Sequence, residues 1–128
     1  MHQREWQVLI VEDEPDSLEL MQTLLGHQGI ASTGTQTAEE ALAVLNEMDP
    51  TLVIIDLALP AMDGWGFLQC LQVDPTIRGV PKVAITAFHT PLLAAKAMAA
   101  GFDAFFSKPI EAVSFVHDLD TIVSKKYS

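Results

Sequence analysis

The chain has 128 residues, with 17 Asp and Glu against 7 Lys and Arg, a formal net charge of −10, and 49% hydrophobic residues. That length suits one domain with one core, and that apolar share excludes a disordered chain. The charge argues against direct nucleic-acid binding, since phosphates would be repelled, and apolar runs as short as Leu52–Ile55 are far below a membrane span. Met1–Arg4 followed by Glu5 carries no signal-peptide pattern, and the lone Cys70 can form no internal disulfide, so a reducing, cytoplasmic location is expected.

Short β-rich runs alternate with helical stretches. Gln7–Val11 is apolar and β-branched, as a strand buried on both faces should be. Pro15 suits the first turn of a helix on which Leu18, Leu20, Met21, Leu24 and Leu25 recur, with Gly26 and Gly29 near its end. Ile30–Gly34 reads as a weaker, edge strand. Thr37 and Glu40 form a capping box for a helix carried by Ala41, Leu42, Val44 and Leu45, stopped by Asp49-Pro50. Leu52–Asp56 is the clearest central strand, Gly64–Val73 a third helix and Val80–Thr86 a fourth strand. Pro91–Ala100 is an alanine-rich helix closed by Gly101, Phe102–Phe106 a fifth strand and Glu111–Val123 the last helix.

Five strands alternating with five helices predict one α/β domain: a doubly wound, flavodoxin-like parallel sheet in the order 2-1-3-4-5 with right-handed crossovers, spanning residues 1–128 with a core from about 7 to 123. Such sheets bind ligands beyond the carboxyl ends of their strands, where the strand order reverses. The first strand runs into Glu12-Asp13-Glu14, the third ends on Asp56, the fourth on Thr86, and the fifth leads into Ser107-Lys108-Pro109. Singly, each has an ordinary explanation as a solvated loop acid, a β-branched strand residue or a surface lysine. Together they place carboxylates, a hydroxyl and an ammonium on one rim. Carboxylates about 4 Å apart repel by roughly 4 kcal/mol per pair at an effective dielectric near 20, a cost tolerated where a cation is expected. Glu12, Asp13 and Asp56 with Lys108 leave two net negative charges, matching one divalent ion. Hard oxygen ligands suit Mg²⁺, with Mn²⁺ as a substitute, and Mg²⁺ held by few carboxylates commonly grips a phosphoryl oxygen too.

These residues resemble the receiver domains of two-component response regulators over about Gln7–Val123. The resemblance rests on Val8-Leu9-Ile10-Val11-Glu12-Asp13, Asp56-Leu57-Ala58-Leu59-Pro60-Ala61-Met62-Asp63-Gly64, Thr86-Ala87, Phe105 and Lys108-Pro109, with separations of 43, 30 and 22 residues between Asp13, Asp56, Thr86 and Lys108. It implies that Asp56 accepts a phosphoryl group from a histidine kinase or phosphotransfer protein. Asp13, Asp56 and the Ala58 backbone carbonyl would bind Mg²⁺, with Glu12 acting through water. Lys108 would pair with phosphoryl oxygens, Thr86 would hydrogen-bond one of them, and Phe105 would turn inward as the switch aromatic. A cis Lys108-Pro109 bond is also implied. The domain would be no enzyme beyond its own phosphorylation and autodephosphorylation. Ala58 and Phe88 occupy the positions that tune water access, which points to a slow decay.

Three other readings compete. A dehalogenase-like phosphohydrolase would want a second acid where Ala58 stands, and a flavodoxin-like cofactor binder would want small polar residues where Glu12-Asp13-Glu14 stands, since acids repel a nucleotide phosphate. A degenerate receiver serving only as a protein-interaction module keeps the fold but not the chemistry. The output partner is undefined by sequence: the chain either docks to other proteins alone or is a piece of a longer regulator or hybrid kinase.

Overall fold

Alternation in the strands decides the layering. In the computed structural model, which describes residues 5–128, the elements run β1 (Gln7–Val11), α1 (Pro15–His27), β2 (Ala31–Thr35), α2 (Ala38–Val44), β3 (Leu52–Asp56), α3 (Gly64–Gln72), β4 (Lys82–Thr86), α4 (Pro91–Ala100), β5 (Ala104–Ser107) and α5 (Phe115–Lys126). The segment Met1–Arg4, where no leader pattern was read, lies outside the described residues. The strands form one parallel sheet in the order β2-β1-β3-β4-β5, as the sequence predicts.

Successive strand residues face opposite sides. Leu9, Val11, Val53, Ile55 and Ala84 pack with Ala38, Ala41, Phe67, Leu68, Leu71 and Ala97, so α2, α3 and α4 cover one face. Val8, Ile10, Leu52, Ile54, Val83 and Ile85 pack with Met21, Leu25, Phe115, Leu119 and Val123, so α1 and α5 cover the other. Each fully buried Leu, Ile or Phe contributes roughly 1.5–3 kcal/mol. β1 and β3 lie at the centre, and the strand order reverses between them, which sets the crevice at their carboxyl ends. No helix among the described residues is long and apolar enough to cross a membrane.

Element boundaries differ from the sequence reading where caps and turns compete with apolar pattern. β2 starts at Ala31 because Ile30 donates its N–H to Leu25 O at 3.0 Å, closing α1 behind Gly29 at φ 74°. Val80 belongs to a turn, donating to Ile77 O at 2.9 Å, so β4 begins at Lys82. Phe102 donates to Ala97 O at 3.1 Å as part of the α4 cap, which delays β5 to Ala104. α5 begins at Phe115, four residues after Glu111, and continues to Lys126. α2 ends at Val44, before Asp49-Pro50 is reached; at its start Thr37 Oγ1 accepts from Glu40 N at 3.0 Å, the N-cap half of the expected capping box.

Two contacts fix the end of the molecule away from the crevice. Gly101 ends α4 at φ 119°, a left-handed conformation, and a Cβ there would lie 2.1 Å from Gln72 Nε2. Gln72 Nε2 donates to Ala100 O at 2.8 Å, tying the end of α3 to the end of α4. Nearby, the Lys82 ammonium is 2% exposed and donates to the carbonyls of Ile77 (3.0 Å), Arg78 (3.0 Å) and Val80. Burial pushes its pKa down to about 8. Lys82→Met keeps the apolar stem and removes the donors of three carbonyls. It should destabilise the fold by about 2–4 kcal/mol, read as a lower urea midpoint with an unchanged m-value.

Candidate functional site

Asp56 closes β3 opposite Ile85 and is 3% exposed. The chain then turns sharply. Ala58 N donates to Asp56 Oδ1 at 2.9 Å, Leu57 N donates to Ile85 O at 3.0 Å, and Gly64 N returns to Leu57 O at 3.2 Å. Gly64 allows this return: a Cβ there would lie 2.5 Å from Asp56 O and 2.7 Å from Leu57 Cα, both backbone atoms that cannot yield. Asp63 caps the following helix, its Oδ1 accepting from Gly66 N at 2.9 Å.

The other strand ends close around this carboxylate. Glu12, fully buried, follows β1 and is tied to β2 through its N–H to Thr35 O at 2.9 Å. Asp13 is more exposed. Carboxylate oxygens of Glu12, Asp13 and Asp56 lie within 4.8 Å of one another. Thr86 ends β4 almost fully buried, its Oγ1 accepting from Phe88 N at 3.1 Å. Lys108 follows β5 with its N–H on Thr86 O at 2.8 Å, and the Lys108-Pro109 bond is cis. Asp13, Glu14, Asp56, Ala58, Ala87, Phe88 and Lys108 line a crevice of about 270 Å³.

Electrostatics binds these pieces. Lys108 Nζ lies 3.1 Å from Asp56 Oδ2, 2.8 Å from Glu14 Oε1 and 2.6 Å from Glu12 Oε1. The contact to Glu12 is a buried ion pair that falls outside hydrogen-bond geometry. Burial, then the neighbouring Asp56, pushes the Glu12 carboxyl up to about 8. For Asp56 burial acts upward too, but the neighbouring Glu12 and the hydrogen bonds from Ala58 N and Lys108 more than offset it and hold the carboxyl below its ordinary range. Burial acts to lower Lys108, and the three acids around it more than reverse that, holding the ammonium charged. An electron-rich pocket with three carboxylate oxygens within 4.8 Å of one another, on the ends of two strands, has the chemistry of a divalent-cation site.

Residues 8–120 match the family model for the response regulator receiver domain. The chain belongs to that family. This receiver domain is 30% identical to the polar-differentiation response regulator DivK of Brucella ovis, over 88% of this chain and 91% of the relative. Its structure is similar to the signal receiver domain of a signal transduction histidine kinase from Syntrophus aciditrophicus, with a TM-score of 0.83 at 28% identity over 94% of this chain and 91% of that one. It is also similar to part of NtrX from Brucella abortus, with a TM-score of 0.87 at 25% identity over 95% of this chain and 28% of that one. As a receiver it is a signalling switch of two-component pathways and no ordinary enzyme, and its family interacts with histidine kinases or phosphotransfer proteins and with output domains.

The structure brings Glu12, Asp13, Asp56, Ala58, Thr86 and Lys108 to one rim. Phe105 lies apart from the crevice, half-buried on β5. Two neighbours escaped the sequence reading. His89 meets Phe105 edge-to-face, with centroids 5.5 Å apart at 82°. Glu14 reaches Lys108, and its signal was a third acid directly after an acid pair that faces a lysine.

The loop between Asp56 and α3 also stores strain. Ala61 sits at φ 56°, in the left-handed region that costs a non-glycine residue about 1–2 kcal/mol. Ala61→Gly removes the Cβ conflict but frees the unfolded chain, so a net gain of about 0.5–1 kcal/mol is expected, visible as a higher urea midpoint.

Proposed function

We propose that this receiver domain is an active phosphoacceptor switch, with Asp56 as the nucleophile. The observation that carries the reading is the triple environment of one buried carboxylate: a backbone N–H on Oδ1, the Lys108 ammonium on Oδ2, and two more acids within 4.8 Å. Asp13, Asp56 and the Ala58 carbonyl would hold Mg²⁺ or Mn²⁺, with Glu12 acting through water. A cation there supplies neutralisation of the charge spread over the transferring phosphoryl oxygens.

The chain's own groups do the rest. An Asp56 carboxylate oxygen attacks phosphorus, the donor's P–N bond breaks, and the histidine imidazole leaves with the electron pair. The product is an acyl phosphate. Asp56, held below its ordinary carboxyl range, is ionised and ready at neutral pH. Lys108 carries its charge to the phosphoryl oxygens, and the low polarity of the pocket strengthens that contact. The phosphoryl brings about −2 charge and new acceptors. Thr86 uses its oxygen to accept from Phe88 N, which leaves its hydroxyl hydrogen to donate to them. Movement of Thr86 vacates space for Phe105, and the surface formed by α4, β5 and α5 changes for an output partner. Taking such a switch from 1:99 to 99:1 requires about 5.5 kcal/mol of differential contact, on the scale of a few charge-assisted hydrogen bonds.

With acetyl phosphate and Mg²⁺, intact mass should show one added phosphoryl group, and Asp56→Asn should show none. Label persisting in that variant would move the acceptor elsewhere. An unlabelled wild type would leave an interaction module.

Mg²⁺ should raise Tm by mass action, with a gain of about 2.7 kcal/mol at a hundredfold excess over its Kd. Asp13→Asn should abolish most of the rise. A wild type indifferent to Mg²⁺ would refute the metal assignment.

Dephosphorylation should be slow, because an attacking water finds no polar partner on Ala58, and Phe88, 70% exposed at the crevice wall, can shield the phosphorus but cannot orient a nucleophile. The decay of Ala58→Asn with Phe88→Glu, compared with wild type in Mg²⁺ alone, checks this. The double variant should decay several-fold faster, and an equal rate would exonerate both side chains.

A further inference from the structure

We propose that Glu14 is a displaceable counter-ion that occupies Lys108 until the phosphoryl group takes its place. The inference rests on the phosphoacceptor reading of Asp56 and adds a residue to it. A lysine ammonium has three hydrogens to give. Here Asp56 Oδ2 and Glu14 Oε1 accept hydrogen bonds from it, and Glu12 Oε1 holds the remaining side as an ion pair. The three acids differ in how readily they can leave. Glu12 is fully buried and the Asp56 side chain is 4% exposed, whereas the Glu14 side chain is 63% exposed, so water can receive its charge at little cost.

The local backbone turns Glu14 towards this role. It stands at the N-cap position of α1, yet its side chain caps no helical N–H. Its own N–H donates to Glu12 Oε2 at 3.2 Å, and its φ of −85° and ψ of 116° keep the residue extended at the lip of the crevice. The carboxylate therefore spends itself on Lys108, the donor that an incoming anion needs. Glu14 opposes that anion twice, by holding the Lys108 hydrogen and by like-charge repulsion. Lys108 itself would stay in place without it, anchored through its N–H on Thr86 O at 2.8 Å and through Asp56 and Glu12.

The test compares wild type, Glu14→Gln and Asp16→Asn, all with Mg²⁺, for the rate of phosphorylation by acetyl phosphate and for affinity towards fluoroberyllate. Glu14→Gln keeps the shape and a neutral acceptor while removing the charge. It should react about fivefold faster and bind fluoroberyllate about fivefold tighter, the scale of one partly exposed ion pair. The gap should narrow as salt is raised, because the competing charge is screened, which a purely structural effect would not do. Asp16→Asn removes the same charge from the first turn of α1 and should match wild type. A Glu14→Gln protein no faster than wild type overturns the proposal, as does an equal gain in Asp16→Asn. A wild type that neither reacts nor binds fluoroberyllate refutes the phosphoacceptor reading itself, whatever Glu14 does.

Discussion

The ammonium of Lys108 is what allows carboxylates to share the carboxyl-terminal rim of this sheet. Without it, Glu12 and Asp56 would be two acids withdrawn from water at close range, and each would favour protonation. With it, the negative potential divides unevenly. Glu12 is pushed up to about 8, while Asp56 is held below its ordinary range by the N–H of Ala58 and the ammonium. Two carboxyls in one pocket thus acquire opposite tendencies from burial and from the groups beside them. The remaining architecture serves this arrangement. β1 and β3 lie side by side so that Glu12 and Asp56 meet, and β4 and β5 continue the sheet so that Thr86 and Lys108 reach the same rim.

Most of this was legible in the sequence because its signals are local and repeated. Buried strands announce themselves as β-branched runs, and in an alternating βα chain the polar residue at each strand end has one rim to occupy. That is why Asp13, Asp56, Thr86 and Lys108 could be placed together before any coordinate was known. The ends of elements were harder. Phe102 looks like a strand residue by composition, but its N–H closes a helix behind a left-handed Gly101, a contact between residues whose apolar pattern says nothing of it. Lys82 was equally opaque. A lysine beginning a buried strand conflicts with the hydrophobic pattern, and only the carbonyls of the preceding turn explain how its charge is satisfied.

Side-chain partners at the rim divide in the same way. The cluster of Glu12, Asp13 and Asp56 follows from topology, since it needs only adjacent strands. The pairing of Glu14 with Lys108 joins residues 94 apart and depends on how α1 leaves β1. The edge-to-face meeting of His89 with Phe105 depends on the path of the loop after β4, which no periodicity encodes.

The tie between Gln72 and the end of α4 has a mechanical meaning. One end of α4 is pinned, through Ala100 and Gly101, to a helix packed on the core, and the other end is carried on the loop that contains Phe88 and His89. A rod fixed at one end would respond to a shift of its other end by pivoting. Ten helical residues span about 15 Å, so each ångström of loop travel tilts α4 by roughly 4°. Any displacement of the Phe88–His89 loop would thus become rotation on the flank, about a fulcrum set by a glycine and a glutamine at the opposite end of the helix.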